Sequence, residues 1–174
     1  MDISYLILPA TTLALGWLSG FFPTWIYGKS MEDLTNSQVR NPLQPPGYVF
    51  GIVWTTLYIL MGLALALIWN ANQNPWRTIL LIMFGVQFTL NIAWTWIYYG
   101  LLLSQSVAAT ISLAVLVGTM LLSILLAAWF VLSASDTFSA LNYIAAAMCI
   151  VPYLAWTVFA SALHLNAMFL NPGK

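Results

Sequence analysis

Five long apolar runs separated by short polar stretches organise this sequence. A helix needs about 20 predominantly apolar residues to cross the hydrocarbon core of a bilayer. Five segments reach that length: Ile3–Trp25, Val49–Trp69, Thr78–Tyr99, Val107–Leu132 and Phe138–Phe169. They predict an all-α fold, a single integral-membrane bundle of five transmembrane helices occupying residues 1–174. The fifth segment is long enough to tilt or to project beyond the bilayer, and Pro152 predicts a kink in it.

The polar connections are Gly28–Pro46, Asn70–Arg77, Gly100–Ser106 and Ser133–Asp136. Only the first is long, and Pro42, Pro45 and Pro46 stiffen its end where it delivers the chain into the second helix. The opening MDISYLILP carries an acid where a secretory signal carries Lys or Arg, and no small-x-small cleavage pattern follows. The first segment therefore reads as a retained helix. With five spans, Lys29, Arg40 and Lys174 share one side and Arg77 has the other. The positive-inside rule then predicts an external N-terminus and a cytosolic first loop. The membrane is a bacterial cell membrane or, in a eukaryote, a mitochondrial or other organellar one.

Composition sharpens the picture. The chain is 62% hydrophobic and 5% charged, whereas soluble domains carry roughly 25% charged residues. Four basic and four acidic side chains give zero net charge, which leaves no basic patch for nucleic acid. Every charged residue falls in a loop or at an end, and His164 is the only titratable acid or base inside a span. Ion and proton pathways carry such groups at depth, so their absence argues against a proton-coupled transporter or a charge-lined channel. The single cysteine, Cys149, rules out an internal disulfide and a cysteine metal cluster. No base–nucleophile pair or phosphate loop is present, which argues against a conventional enzyme.

Nine tryptophans and eight tyrosines remain to be placed. Trp17, Trp25, Trp69, Trp76 and Tyr99 suit the aromatic belts at the membrane interfaces. Others form stripes. Phe50, Trp54 and Tyr58 recur every four residues on helix two and share a face. Gln87, Asn91, Trp94 and Tyr98 share a face of helix three, and a buried amide is costly in hydrocarbon, so this face looks inward. Pro152, Trp156, Ala160, Leu163 and His164 form a third such face. Three inward faces of aromatics with sparse polar groups describe a ligand pocket; plain helix packing with polar glue produces the same pattern. On helix three, Gly85, Thr89 and Ala93 form a small-xxx-small stripe about 170° from the Gln87 face. It predicts a homodimer through helix three. Gly16 and Gly20 make a second pair, available to packing within the monomer.

These residues resemble the translocator protein family, the TspO/MBR or tryptophan-rich sensory proteins. PPGYVFGIVWTTLYILMG (Pro45–Gly62) is similar to the family's PP-x-x-x-F-x-x-x-W-x-x-L-Y-x-x-M-G. QFTLNIAW (Gln87–Trp94) resembles Q-x-x-L-N-x-x-W, and PYLAWTVFASAL (Pro152–Leu163) resembles P-Y-L-x-W-x-x-F-A-x-x-L. GWLSG (Gly16–Gly20) and Asn171 match the first-helix G-x-x-x-G and a terminal Asn. The chain departs from the family where RNPLQPP puts Leu43 in place of a tryptophan, and where His164 replaces Asn. The sterol-recognition pattern reads Leu163, Leu165, Phe169, without its tyrosine and arginine. No acidic residue lies between Ser104 and Ser133, and the stretch from Trp129 to Pro152 is extended.

The resemblance implies a five-helix, often dimeric protein that binds protoporphyrin IX or haem. The pocket it implies lies under the first loop, which ends at Pro45 and Pro46, and is lined by Trp54, Trp94 and Trp156 with Asn91, Ala160 and Leu163 beside them. Such a protein has no obligatory cofactor; the porphyrin is its ligand. The expected output is regulation of tetrapyrrole or stress metabolism. The alternatives are transport of porphyrins, lipids or sterols, and light-dependent porphyrin degradation. For His164 two roles stand side by side: axial ligation of haem iron, and a hydrogen bond to a neighbouring helix.

Overall fold

The computed structural model describes residues 2–27, 42–100 and 103–170, apart from the side chains at 22–24, 27, 96, 98–100 and 103–105. Five helices make up nearly all of them: α1 (Ser4–Tyr27), α2 (Gly47–Asn70), α3 (Pro75–Gly100), α4 (Leu103–Ser133) and α5 (Thr137–Leu170). Each is long and apolar enough to cross a membrane. The five expected spans are thus present in order, with the starts of α2, α3 and α4 earlier than expected by two or more residues.

The shifts have local causes. α3 begins at Pro75 and not Thr78, because Asn74 caps it: Asn74 Oδ1 accepts the Arg77 N–H at 3.0 Å. Proline at the first helical position gives up an N–H that had no partner anyway. α4 begins at Leu103, so most of the stretch expected as a Gly100–Ser106 loop is helix. α4 ends with Asp136 N–H donating to Val131 C=O at 2.8 Å and Ser135 N–H to Leu132 C=O at 2.9 Å. Ser135 has φ 65°, in the left-handed turn that usually takes glycine. Asp136 then caps α5 by accepting the Ser139 N–H at 3.1 Å. Hydrogen bonds from Ser139 hold the Asp136 carboxyl below the usual carboxylate range.

Around the bundle the helices pack in the order α1, α2, α5, α4, α3 and back to α1, with α2 also touching α3 across the middle. α3 and α5 meet through side chains, Asn91 with Tyr153 and Trp94 with His164. The α1–α2 seam is close-packed around two glycines. A Cβ on Gly62 would overlap the backbone of Pro9, and one on Gly16 would overlap the Tyr58 ring. Thr12 Oγ1 donates to the Tyr58 carbonyl at 2.8 Å across the same seam. Small residues let backbones approach closely in lipid, where no hydrophobic force joins helices.

One end of the bundle is laced shut by hydrogen bonds. Asn70 Nδ2 donates to Ser4 Oγ at 2.6 Å, and Asn72 Nδ2 to Asp136 Oδ1 at 3.0 Å. The Asn72 N–H donates to Ser139 Oγ at 3.0 Å, and Tyr143 O–H to Asn74 Oδ1 at 3.1 Å. Arg77 donates to the Trp69 carbonyl at 2.9 Å and lies over the Trp69 ring. The belt positions Trp17, Trp25 and Trp69 are exposed, while Trp76 is half-buried and stacks on Phe130 with centroids 5.2 Å apart. α5 runs unbroken through Pro152, whose side chain is exposed.

Candidate ligand-binding site

The stripes of α2 and α5 meet. On α2, Tyr58 is buried and stacks on Trp54 with centroids 5.4 Å apart. The Trp54 ring lies edge-on to Tyr153 at 6.3 Å and to Trp156 at 6.5 Å. Phe50 meets Trp156 edge-on at 5.5 Å. Edge-to-face pairs at such separations are favoured by the ring quadrupole. Trp54, Phe50 and Trp156 are half-buried, so their rings are partly open for contact.

From α3 the two amides point into the same interior. Asn91 is 3% exposed, and its Nδ2 donates to the Tyr153 hydroxyl at 3.0 Å. Gln87 is 1% exposed, and neither its Oε1 nor its Nε2 has a partner; Asn91 Oδ1 has none either. A buried polar atom left unsatisfied costs about 1–3 kcal/mol. Such a cost is tolerated where function requires the group.

Two turns further along α5 lies a polar hub. The His164 ring stacks flat on Trp94, with centroids 5.3 Å apart and planes 2° from parallel. Trp94 Nε1 donates to Thr110 Oγ1 at 2.7 Å, and His164 Nδ1 lies 2.8 Å from the same oxygen. Thr110 in turn donates to the Ser106 carbonyl at 2.8 Å. A hydroxyl has one proton and two lone pairs. With the Thr110 proton directed at the Ser106 carbonyl, both lone pairs of Oγ1 accept, and the hydrogen-bond network then assigns a hydrogen to His164 Nδ1. The interhelical hydrogen bond set beside iron ligation for His164 is therefore present.

Of the other expected residues, Leu163 is buried, Ala160 and Pro45 are half-buried, and Pro46 is exposed just before α2. Tyr98 belongs to α3, but its side chain lies outside the described residues, as does most of the first loop. The inward face of α5 differs from the expected one. It centres on Tyr153, which is wholly buried, whereas Pro152 turns outward by the 100° that separates neighbours on a helix. Tyr153 and Thr110 were missed as site residues. Tyr153 was legible as an aromatic three positions before Trp156. Thr110 carries only the weak signal of a hydroxyl stripe with Ser106 on an otherwise apolar helix.

On the small-residue stripe of α3, Gly85 and Thr89 are exposed and Ala93 is half-buried. Nothing lies within 4 Å of a Cβ built on Gly85 or Gly20, so the paired glycines of α1 have different surroundings.

Comparison with known proteins agrees with this architecture. The family model for the TspO/MBR family matches residues 8–170. The chain is 31% identical over 168 residues to the tryptophan-rich protein TspO of Chlorobaculum tepidum, covering 92% of this chain and 90% of that one. It is 33% identical to protein CrtK of Rhodobacter capsulatus, over 75% of this chain and 73% of that one. It is 30% identical to the translocator protein homolog of Schizosaccharomyces pombe, over 98% and 100%.

Proposed function

The chain belongs to the TspO/MBR family of membrane proteins, and from that premise we propose that it binds a porphyrin between its helices and serves as a sensory regulator of tetrapyrrole or stress metabolism. Protoporphyrin IX and haem are the ligands meant. The observation that carries this reading is the aromatic cluster of Phe50, Trp54, Tyr153 and Trp156, contributed by α2 and α5. A flat conjugated ring gains about 0.5–1.5 kcal/mol from each well-placed aromatic contact beyond its burial. Arg77, the one charged side chain within a described span, lies at the end closed by the hydrogen bonds of Asn70, Asn72 and Asn74, so the ligand's carboxylates belong toward the Phe50 end of the bundle, near Pro45 and Pro46, where water is close.

The assembly proposed with it is a homodimer through Gly85 and Thr89 on the outer face of α3. The orientation proposed is an external N-terminus with the first loop in the cytosol, which labelling of cysteines introduced at either end checks. The test of binding is an absorbance titration of the purified protein with protoporphyrin IX. A saturable spectral shift at one porphyrin per chain is expected. A shift that rises linearly, as for partition into detergent, overturns the reading.

A further inference from the structure

We infer that the ligand of the interior site passes between α2 and α5 directly from the bilayer, with the Trp156 ring as the gate. This rests on the binding reading above. A groove of about 520 Å³ runs between those two helices. Its rim is formed by Ile52, Pro152, Ala155 and Phe159, all exposed, and its floor by the buried Leu57 and the half-buried Trp156. Trp156 belongs to both sides. It meets Phe50 and Trp54 of the inner cluster edge-on, and on the groove side it lies 5.5 Å from Phe159 at a 44° tilt. The Trp156 side chain thus lies between groove and cluster, and a rotamer change of Trp156 is the movement that would join them.

Three further observations give the groove a direction and an occupant. The opposite end of the bundle is closed by the hydrogen bonds of Asn70, Asn72 and Asn74, so that end offers no way in. Pro152 has no N–H, which leaves the Met148 carbonyl without its helical donor and makes α5 easiest to bend at the rim. The lining holds no charged group, and its one hydroxyl, on Thr56, already donates to the Ile52 carbonyl at 3.0 Å. A lipid headgroup finds nothing to bind there. The occupant that fits is a flat, largely apolar ring system dissolved in the bilayer, displacing the acyl chains that otherwise cover the groove.

The experiment measures protoporphyrin IX association and release by stopped-flow tryptophan quenching, with the protein in phosphatidylcholine nanodiscs. Ala155→Phe narrows the mouth from a lipid-facing position outside the cluster. It is expected to slow association and release together by about tenfold while the Kd stays within about twofold, since a gate alters rates and not the end states. Phe159→Ala widens the mouth and is expected to speed both. Opposite signs in two variants cannot come from misfolding. Val115→Phe, exposed on α4 away from the groove, should match the parent. Unchanged association in Ala155→Phe and Phe159→Ala, or a Kd change without a rate change in association, overturns the route. Absence of saturable binding by the parent overturns the binding reading itself.

Discussion

Replacing Gly16 by alanine asks whether the α1–α2 seam shapes the site. The added methyl would overlap three atoms of the Tyr58 ring. That ring has little room to retreat: it is 7% exposed, stacked on Trp54 at 5.4 Å and held edge-on by Phe88 at 6.4 Å. Overpacking of this kind costs about 1–3 kcal/mol. The displaced Tyr58 would also push Trp54 out of the cluster, so ligand affinity should fall with stability. Gly20→Ala is the internal control, because nothing lies within 4 Å of its Cβ, and it should stay within about 0.5 kcal/mol of the parent. Chemical denaturation in detergent gives the stabilities, and the protoporphyrin IX titration gives the affinities. Combining Gly16→Ala with Tyr58→Leu should recover part of the stability, a coupling expected of residues in contact. If Gly16→Ala behaves like Gly20→Ala in both assays, Tyr58 has space to move and the reasoning fails.

Three further outcomes follow from the same geometry. Gln87→Met removes two buried amide atoms without partners and should raise the stability of the ligand-free protein by about 1–3 kcal/mol; a loss of stability in denaturation would mean the amide is satisfied. His164→Ala should weaken haem and protoporphyrin IX alike, since the imidazole holds Thr110 and Trp94 in place; spectral titration showing loss of haem alone would assign the ring to iron. Gly85→Leu should dissociate the proposed dimer by blocking close approach of two α3 helices; an unchanged mass in detergent by light scattering would move the interface elsewhere.

Much of this architecture was legible in hydropathy, because lipid leaves a spanning chain little choice but helix. The inward faces of α2 and α3 were legible too: aromatic and amide residues at four-residue spacing have one common direction. What the pattern could not supply was depth of partner. Gly16 and Gly20 look alike in sequence, yet only Gly16 has Tyr58 against it. Trp94 and His164 stood on separate helices, and their stacking and shared Thr110 hydrogen bonds depend on how α3, α4 and α5 converge. On α5 the tryptophan drew the face toward Pro152, while burial centres on Tyr153. The start of α3 was missed because a hydropathy window ignores Asn-Pro, a capping signal carried by two polar or helix-breaking residues.

The central claim is that the ligand sits against the aromatic cluster of α2 and α5. The most direct test compares protoporphyrin IX dissociation constants of the parent, Trp156→Ala and Trp129→Ala. Trp129 is 68% exposed on α4 and serves as a tryptophan outside the cluster. Loss of one aromatic contact, about 1 kcal/mol beyond burial, predicts a Kd at least about fivefold weaker for Trp156→Ala. Trp129→Ala is predicted to match the parent. Equal affinities for all three proteins, or a loss confined to Trp129→Ala, would contradict the account.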